Sequence, residues 1–338
     1  MDFTMDKIIK KAVEFKPLTF LANHLMGHYV TIFMLHRPLS KESNYHGLDP
    51  QLLDECLTYA KQNGFVFASI DEIWNNALNG VKAQRPTLCF TIDDGFEDQL
   101  TELVPILLKH NAKPTLYILV DFVDNLNWPW DYRLIYLINK TKTVTLEFIH
   151  NNQEFNFDLT TPNAKISSRR ALVKYMKYLP QKDFIFLMDE ITKKLDITLP
   201  TQIPGPYVAA KWNDLREYEK KGLTIGSHAC SHRVFNSLSL EEVKEELIRA
   251  QTRLLSELQS PSKVFCYPSG TTLDYSNVHA PLLKELGYSA AVSATPGNTN
   301  YEYIKNDPYN IKRHSFPNSL DRFIRYTSWF EAMRSKLK

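Results

Sequence analysis

Two adjacent aspartates stand at the end of an apolar run in the sequence. Asp93 and Asp94 lie within FTIDDGFEDQ, residues 90–99. Two carboxylates at the end of a buried strand need a positive partner, and a divalent metal ion is the strongest partner available. A tight turn is the alternative interpretation, because Asp-Asp-Gly is favourable turn chemistry and Gly95 can adopt a positive φ.

Two histidines follow a second apolar run. His228 and His232 lie four residues apart in GSHACSHRVF, residues 226–235, directly after Leu-Thr-Ile. This spacing aligns the two imidazoles if the loop turns helically. Zinc binds two histidine nitrogens and one carboxylate oxygen while leaving a position for water. Together the two stretches predict one metal site, for Zn²⁺ first, with Co²⁺, Mn²⁺ or Ni²⁺ as alternatives.

The elements that must position these residues alternate between strands and helices. Short β-branched and aromatic runs predict strands, and amphipathic runs with capping residues predict the helices between them. The predicted strands are residues 29–35, 87–93, 114–120, 223–227, 263–268 and 288–294. The predicted helices are residues 49–64, 99–111, 211–222, 239–259 and 277–287. About seven such repeats with right-handed crossovers predict an α/β fold whose parallel sheet is closed, or nearly closed, into a barrel. Catalytic groups of such barrels lie at the C-terminal strand ends.

A block at residues 121–210 interrupts this alternation. Two runs of alternating polarity around Asn151 and Asn152 predict a β-hairpin, and helices are expected on its C-terminal side at about 163–178 and 181–195. We interpret the block as an insertion, because the strand and helix alternation resumes after it.

The insertion belongs, in this interpretation, to a single domain of residues 1–338 with an N-terminal helical extension at 1–28. Its aromatic side chains are expected to form a buried cluster that anchors the insertion, and stacking on a sugar ring is the alternative. These aromatic residues are Trp128, Trp130 and Tyr132.

Three motifs resemble those of the NodB-homology polysaccharide deacetylases, the fourth carbohydrate esterase family. The first family motif reads T-F-D-D-G, and TIDDG at residues 91–95 differs from it only at Ile92. The second reads H-[ST]-x-x-[HS], and residues 228–232 keep both ends while Ala229 replaces the usual hydroxyl residue. FCYPSG, residues 265–270, resembles the third motif.

The resemblance covers about residues 29–315 and implies a distorted (β/α) barrel. It also implies metal-assisted hydrolysis of an N-acetyl or O-acetyl group on a sugar. By the resemblance, Asp94, His228 and His232 would hold the metal, and Asp93 would be the general base. This division explains how two like charges coexist, since one carboxylate binds the cation and the other takes the proton of the attacking water.

The third motif departs from its commonest form, R-x-P-Y-G, at two positions. Cys266 stands near the usual arginine, and Ser269 replaces the usual tyrosine. The backbone N–H of Ser269 is a candidate oxyanion donor, a role that depends little on the side chain. A turn that ends a core strand is the alternative. Because the arginine is missing, Arg313 in NIKRHSFP is expected to orient Asp93.

A general acid must also reach the leaving amine, and the resemblance implies a histidine. His36 ends the first predicted strand in FMLHRP and is favoured over His314. Adjacent strand residues face opposite ways, so Arg313 and His314 cannot both point into the site unless the strand has ended. A purely structural role is the alternative for each histidine.

Composition limits the location and the partners. The chain of 338 residues is 43% hydrophobic and carries 40 basic against 38 acidic side chains, so no strong field favours nucleic acid. Four scattered cysteines favour a reducing compartment. The N-terminus does not resemble a secretory signal, and no apolar run is long enough to span a bilayer. We therefore expect a cytoplasmic protein, with weak association to a membrane surface through an amphipathic N-terminal helix as a further possibility.

The function expected from these features is metal-dependent removal of an N-acetyl, N-formyl or O-acetyl group from a sugar or glycan of a bacterial surface-glycan pathway. Without an export signal, the enzyme would act on a cytoplasmic precursor, nucleotide-linked or lipid-linked. The departures at Ala229, Cys266 and Ser269 keep a second interpretation open, a carbohydrate-binding barrel without turnover. Metal-dependent hydrolysis of another C–N bond, in an imide or amide, is a third.

Overall fold

A parallel sheet forms the centre of the protein. The structure, a computed structural model, describes residues 3–26, 29–39, 47–81, 83 and 85–336. Its strands are β1 (Val30–Leu35), β2 (Val66–Phe67), β3 (Thr87–Asp94), β4 (Thr115–Ile118), β5 (Thr145–His150), β6 (Gln153–Asp158), β7 (Thr224–Ser227), β8 (Val264–Cys266), β9 (Ala290–Val292) and β10 (His314–Ser315).

The central sheet has the order β10-β1-β3-β4-β7, and β2 pairs with the start of β3. All of its pairings are parallel. In the register, Asp94 lies opposite Ile118, and Ile118 lies opposite Ser227. The last residues of β3, β4 and β7 therefore reach the same edge, which brings the aspartate pair and the residue after Ser227 to one rim.

The strands β8 and β9 form a separate parallel pair between the two ends of this sheet. The Ser262 N–H donates to the Ile225 carbonyl on one side, at 2.8 Å, and the Ile311 N–H donates to the Ala291 carbonyl on the other, at 3.0 Å. Within the described residues these contacts do not extend into a continuous ladder, because β8, β9 and β10 are only two or three residues long. The predicted α/β fold with a parallel sheet is confirmed, and closure of the sheet into a complete barrel is not seen within the described residues.

Helices surround the sheet and follow most of its strands. They are α1 (Phe3–Glu14), α2 (Lys16–Met26), α3 (Pro50–Gln62), α4 (Ile70–Leu78), α5 (Val104–Lys109), α6 (Val120–Val123), α7 (Trp130–Lys140), α8 (Pro162–Met176), α9 (Gln181–Lys194), α10 (Trp212–Lys220), α11 (Leu240–Glu257), α12 (His279–Glu285), α13 (Tyr301–Asn306), α14 (Leu320–Tyr326) and α15 (Trp329–Lys336). One π-helical turn, Gln99–Leu103, leads into α5.

Capping side chains fix where several helices begin. The Asp49 carboxylate accepts the Gln51 N–H at 2.9 Å, and Pro50 occupies the first position of α3. Ser239 and Glu242 form a capping box at the start of α11. These caps satisfy backbone N–H groups that have no partner inside the helix.

The insertion lies where the sequence pattern changes. The strands β5 and β6 form an antiparallel hairpin whose turn residues Asn151 and Asn152 have φ of 50° and 60°. The helices α7, α8 and α9 pack on it around a hydrophobic core of their own, which includes Leu134, Phe148 and Met176. The predicted hairpin with helices is therefore present, and the insertion has its own core.

The N-terminal helices α1 and α2 pack on the C-terminal helices. Asp6 pairs with Arg325 at 2.7 Å, and Lys10 pairs with Asp321 at 2.8 Å. Residues 1–2 and 27–28 of the predicted N-terminal extension lie outside the described residues. Among the described helices, none combines the length and the apolar character that a membrane span requires.

Candidate active site

The C-terminal rim of the sheet carries an unusual backbone. Four of its non-glycine residues have φ in the left-handed region: Asp94 at 93°, Ala229 at 64°, His232 at 61° and Ser269 at 59°. Residues other than glycine adopt such values rarely, and they do so mostly where surrounding contacts impose them. All four belong to the three motifs singled out in the sequence.

Asp94, His228 and His232 converge on one point of this rim. Asp94 Oδ1 lies 3.7 Å from His228 Nε2 and 3.5 Å from His232 Nε2. The Asp94 side chain is 2% exposed, and its Oδ1 has no hydrogen-bond partner within the described residues. A buried, unpartnered carboxylate oxygen is costly unless a cation balances it.

The three donor atoms fit a divalent metal ion. Four-coordinate zinc with bonds of about 2.0–2.1 Å holds its ligand atoms roughly 3.3–3.4 Å apart. The separations of 3.5 and 3.7 Å are close to this range. Two imidazole nitrogens and one carboxylate oxygen also leave a fourth position for water.

The second nitrogen of each histidine has a partner that orients the ring. His228 Nδ1 donates to the Cys266 carbonyl at 2.9 Å, so its Nε2 keeps the lone pair that faces Asp94. His232 Nδ1 lies 3.3 Å from Asp131 Oδ1, on helix α7 of the insertion. Asp131 was missed in the sequence, because nothing local to residue 131 indicates contact with a loop 101 positions away.

A second group of potential ligands, Asp93, His228 and Cys266, shares this region. It fits a metal less well, because Asp93 is fully engaged by Arg313. Burial also raises the pKa of the Cys266 thiol well above its usual value, which disfavours the thiolate that metals bind. The group with Asp94 is therefore the better candidate.

Asp93 points to the inside of the barrel and forms a two-point ion pair with Arg313. Arg313 Nη1 lies 2.7 Å from Asp93 Oδ1, and Nη2 lies 2.9 Å from Oδ2. The guanidinium is held in turn by the Ser293 carbonyl at 2.8 Å, by Thr91 Oγ1 at 2.9 Å and by Cys266 Sγ at 3.2 Å. Cys266 stands near the position of the arginine in the third motif, and the guanidinium in this place comes instead from Arg313, directly before β10.

The charges around the site give the two aspartates different pKa values. Burial raises the pKa of Asp93, but the charges of Arg313 and His228 and the hydrogen bonds from Arg313 outweigh it and lower the pKa to about 2. Burial raises the pKa of Asp94, which has no arginine partner. Asp93 is therefore ionised at neutral pH, and Asp94 needs a cation to be equally stable as an anion.

The pKa values of His228 and His232 also differ from each other. Burial lowers the pKa of His228 to about 3. Burial also lowers the pKa of His232, but the carboxylates of Asp131 and Asp94 outweigh it and raise the pKa to about 9. A metal ion bound here would have to displace a proton from His232, as metal binding to histidine generally does.

His36 follows β1 at the same rim. The register pairs Leu35 with Ile92, so His36 stands beside Asp93, and its charge is among those that lower the pKa of both aspartates. His36 also lines a cavity of about 420 Å³ between the ends of β1 and β10. His36 is therefore open to this cavity, whose lining among the described residues does not include the two aspartates or the two other histidines of the site.

Gln99 is a further residue that the sequence did not reveal. Its Nε2 donates to the carbonyls of His36 at 2.8 Å and Asp93 at 2.5 Å. Its Oε1 accepts the N–H groups of Gly95 at 3.0 Å and Phe96 at 2.9 Å. This fully buried amide therefore joins the end of β1 to the loop after Asp93. In the sequence it is indistinguishable from any first-turn helical residue.

His314 does not point into the site, which corrects its consideration as a general acid. Its Nε2 bonds to Asn298 Oδ1 at 2.9 Å, and its ring stacks on Tyr326 at 4.7 Å between centroids. Burial lowers its pKa to about 4. Arg313 faces the barrel interior, so the alternation of strand side chains sends His314 to the opposite side, under the C-terminal helices.

Ser269 lies in the loop that follows β8, three residues after the Cys266 whose carbonyl holds His228. Its left-handed backbone and the adjacent Gly270, at φ 71°, turn the chain sharply at the rim. The loop that carries this candidate oxyanion donor therefore begins next to the residue that holds His228.

The aromatic residues of the insertion are buried. Trp128, Trp130 and Tyr132 are between 4% and 8% exposed, and Tyr132 packs on Phe96 of the loop after Asp94. Trp128 and Tyr132 belong to one buried cluster with Phe96, and Trp130 belongs to the core of the insertion. Their burial rules out the alternative in which they present open faces to a sugar.

Comparisons with known proteins agree with the motifs. A family model described as polysaccharide deacetylase matches residues 172–291, which include His228, His232 and Ser269 but not the aspartate pair. No curated protein matches the chain.

Several solved structures have a similar fold, and some of them are described as deacetylases. PplD of Streptococcus pyogenes, a deacetylase in complex with acetate, has a TM-score of 0.59 at 16% identity, covering 89% of this chain and 99% of that one. IcaB from Ammonifex degensii has a TM-score of 0.55 at 13% identity, with coverage of 89% and 97%. A polysaccharide deacetylase from Bacillus cereus has a TM-score of 0.55 at 13% identity, with coverage of 89% and 70%.

At these identities the structural likeness concerns the fold, and the family model adds the sequence match over residues 172–291. The resemblance to the NodB-homology polysaccharide deacetylases, first indicated by three short motifs, is thereby confirmed.

Proposed function

We propose that this protein is a metal-dependent deacetylase that hydrolyses an N-acetyl group, or a related N-formyl or O-acetyl group, on a sugar. The observation that carries the proposal is the pair of neighbouring aspartates in different environments. Asp94 faces two histidine nitrogens at 3.5 and 3.7 Å, and Asp93 is held by Arg313 at 2.7 and 2.9 Å. One carboxylate is thus arranged to bind a cation and the other to move a proton.

Asp94, His228 and His232 would hold the metal. A bound divalent ion lowers the pKa of a coordinated water and polarises the acyl oxygen. The remaining steps are performed by residues of this chain.

Asp93 is the general base in this proposal. The low pKa of its carboxyl, about 2, keeps it ionised, and Arg313 holds its two oxygens in one orientation. It takes a proton from the attacking water as the carbonyl carbon is attacked. The backbone N–H of Ser269 donates to the oxyanion that then develops.

His36 is the general acid. It stands beside Asp93 at the rim and is accessible from the cavity, whereas His314 is buried against Asn298 and Tyr326. His36 delivers a proton to the leaving amine, which departs as the C–N bond breaks and acetate is released.

The two alternatives from the sequence make different predictions. A binding barrel without turnover has no need of a buried Arg313–Asp93 pair beside an Asp94 whose Oδ1 accepts no hydrogen bond within the described residues, and both are present here. An imidase or other amidase would use the same groups. Acetate bound in a structure of similar fold favours an acetyl substrate, since acetate is the product of deacetylation.

For the substrate, we propose a sugar of a bacterial surface-glycan precursor, met in the cytoplasm in nucleotide-linked or lipid-linked form. The lipid-linked form is supported by two exposed apolar side chains, Phe15 between α1 and α2 at 61% and Phe20 on α2 at 78%, beside the exposed Lys11 and Lys16. Such a surface suits an anionic bilayer. Sedimentation with vesicles containing anionic lipid, compared with neutral vesicles, tests this association.

Acetate release tests the catalytic proposal. Zinc-loaded protein is incubated with N-acetylated sugars, with O-acetyl esters and with cyclic imides, and Asp93→Asn serves as the inactive control. The proposal expects acetate from an acetylated sugar with the wild type alone. Turnover restricted to imides supports the amidase alternative, and no turnover above the control contradicts the proposal.

A further inference from the structure

The insertion contacts the second histidine of the site through two consecutive residues. The indole N–H of Trp130 donates to the His232 carbonyl at 3.1 Å. Asp131 Oδ1 lies 3.3 Å from His232 Nδ1. Trp130 and Asp131 are the first two residues of α7, so one helix end contacts both the backbone and the ring of His232.

His232 needs such contacts to hold its orientation. Its backbone has φ 61°, and it lies in the irregular loop between β7 and α11, where no strand or helix fixes the side chain. With Nδ1 directed to Asp131, Nε2 faces Asp94 Oδ1 at 3.5 Å. The carboxylate therefore selects which nitrogen faces the metal position.

The next residue ties the same loop to the insertion a second time. Arg233 Nε donates to Gln181 Oε1 at 3.1 Å, and its Nη2 donates to the Leu179 carbonyl. Its guanidinium lies over the Phe184 ring, 3.9 Å from the centroid, and the residue is 1% exposed. The insertion is thus fixed against residues 232–233, and the Asp131 contact belongs to a rigid junction.

We propose that Asp131 is a positioning residue for the metal site: it orients His232 and, through its negative charge, strengthens the metal bond of that histidine. This role rests on the proposed function. A histidine whose second nitrogen meets a carboxylate is held in one tautomer and becomes a better ligand. The insertion then contributes a residue that the metal site needs.

A second, merely structural role of Asp131 must be separated from this one. Its carboxylate also lies in the first turn of α7, where the backbone N–H groups have no partner inside the helix. A carboxylate at this position stabilises a helix of 11 residues whether or not a metal binds. Asparagine keeps an oxygen for these N–H groups but loses the charge, so it separates the two roles.

The experiment measures the Zn²⁺ affinity of the metal-free protein by competition with a chromogenic chelator. Wild type, Asp131→Asn, Asp131→Ala and the control Asp189→Asn, an exposed carboxylate of the same insertion, are compared. We expect about tenfold weaker binding for the Asn variant, up to about a hundredfold for the Ala variant, and no change for the control. The visible absorption of bound Co²⁺ should change in the two Asp131 variants only, since it reports ligand geometry.

Thermal unfolding of the metal-free proteins completes the test. The proposal expects both Asp131 variants to lose affinity, and Asp131→Asn to lower Tm less than Asp131→Ala does, because asparagine keeps an oxygen at the helix end. Zn²⁺ binding within twofold of wild type in both Asp131 variants overturns the proposal and leaves only the helix-end role, whatever their Tm. If Asp131→Ala fails to fold, the Asn variant decides. A wild type that binds no Zn²⁺ contradicts the proposed function itself, a separate outcome.

Discussion

The guanidinium of Arg313 holds both oxygens of the Asp93 carboxylate, at 2.7 and 2.9 Å, inside the barrel. The two residues are 220 positions apart in the chain and come from the last strand region and from β3. The pair determines the ionisation of Asp93, and the first prediction concerns it.

Replacing Arg313 with lysine should impair the general base. Lysine keeps one charge but cannot form two parallel bonds, so Asp93 loses its fixed orientation. Because a general base contributes about 10²–10⁴ in rate, we expect kcat/KM to fall by about tenfold to a hundredfold.

The pH dependence of kcat/KM in the Arg313→Lys variant tests the role of Asp93 more directly. Arg313 lowers the pKa of Asp93 against burial, so weakening the pair raises that pKa and moves the acid limb of kcat/KM to higher pH. Arg334→Lys, near the C-terminus, is the control. An acid limb at the wild-type position would show that Asp93 is not the base.

Replacing His36 with glutamine should lower kcat without loss of metal. The side chain is proposed to protonate the leaving amine, a contribution of about 10²–10⁴, while Asp94, His228 and His232 remain in place. Zn²⁺ content and acetate release are measured together. His314→Phe is the matched control and should keep activity within a few-fold; the reverse ranking of the two variants would assign the acid to His314.

His314 should make the protein sensitive to acid. The pKa of the buried side chain is lowered to about 4, against 6.5 in the unfolded chain. The unfolded state therefore binds more protons between these values, and stability falls as the pH drops through this window. Between pH 7 and 5 the loss from this one group amounts to about 2 kcal/mol.

Urea unfolding at pH 7 and pH 5 measures this effect. His314→Phe, which keeps an aromatic ring against Tyr326, should lose less stability than the wild type over the same interval. Equal losses in the two proteins would mean that His314 is already protonated in the folded state.

Replacing Gln99 with methionine should destabilise the fold and the site together. Methionine has a similar volume but leaves the N–H groups of Gly95 and Phe96 without their buried acceptor. Each such group costs about 1–3 kcal/mol. Urea unfolding checks the loss, with the exposed Thr101→Ala as the control. Unchanged stability would show that water replaces the amide.

The parts of the site that the sequence indicated are those set by local spacing and by strand ends. Asp93 and Asp94 are consecutive, His228 and His232 share one loop, and parallel strands bring both stretches to one rim. Arg313 was expected because no arginine stood in the third motif. The alternation of side chains along a strand also predicted that Arg313 and His314 face opposite sides. It did not predict which of the two faces inward.

Asp131 and Gln99 could not be found in this way. Asp131 reaches His232 only because the insertion folds back across the rim, and Gln99 bonds to His36 across 63 positions. Both contacts depend on tertiary packing, and a single acidic or amide residue in a helical stretch carries no signal of it. The short strands β8, β9 and β10 could not be predicted for the same reason. Their ends are set by the loops that follow them, and loops have no periodic sequence pattern.

The central claim is that the two neighbouring aspartates have separate roles, one for the metal and one for the proton. Isothermal titration with Zn²⁺ and acetate release are therefore measured on Asp93→Asn and Asp94→Asn in parallel with the wild type. We predict one Zn²⁺ per chain for the wild type and for Asp93→Asn, strongly weakened binding for Asp94→Asn, and acetate release only from the wild type. Equal Zn²⁺ affinity in the two variants, or a wild type that binds no Zn²⁺, would contradict the account.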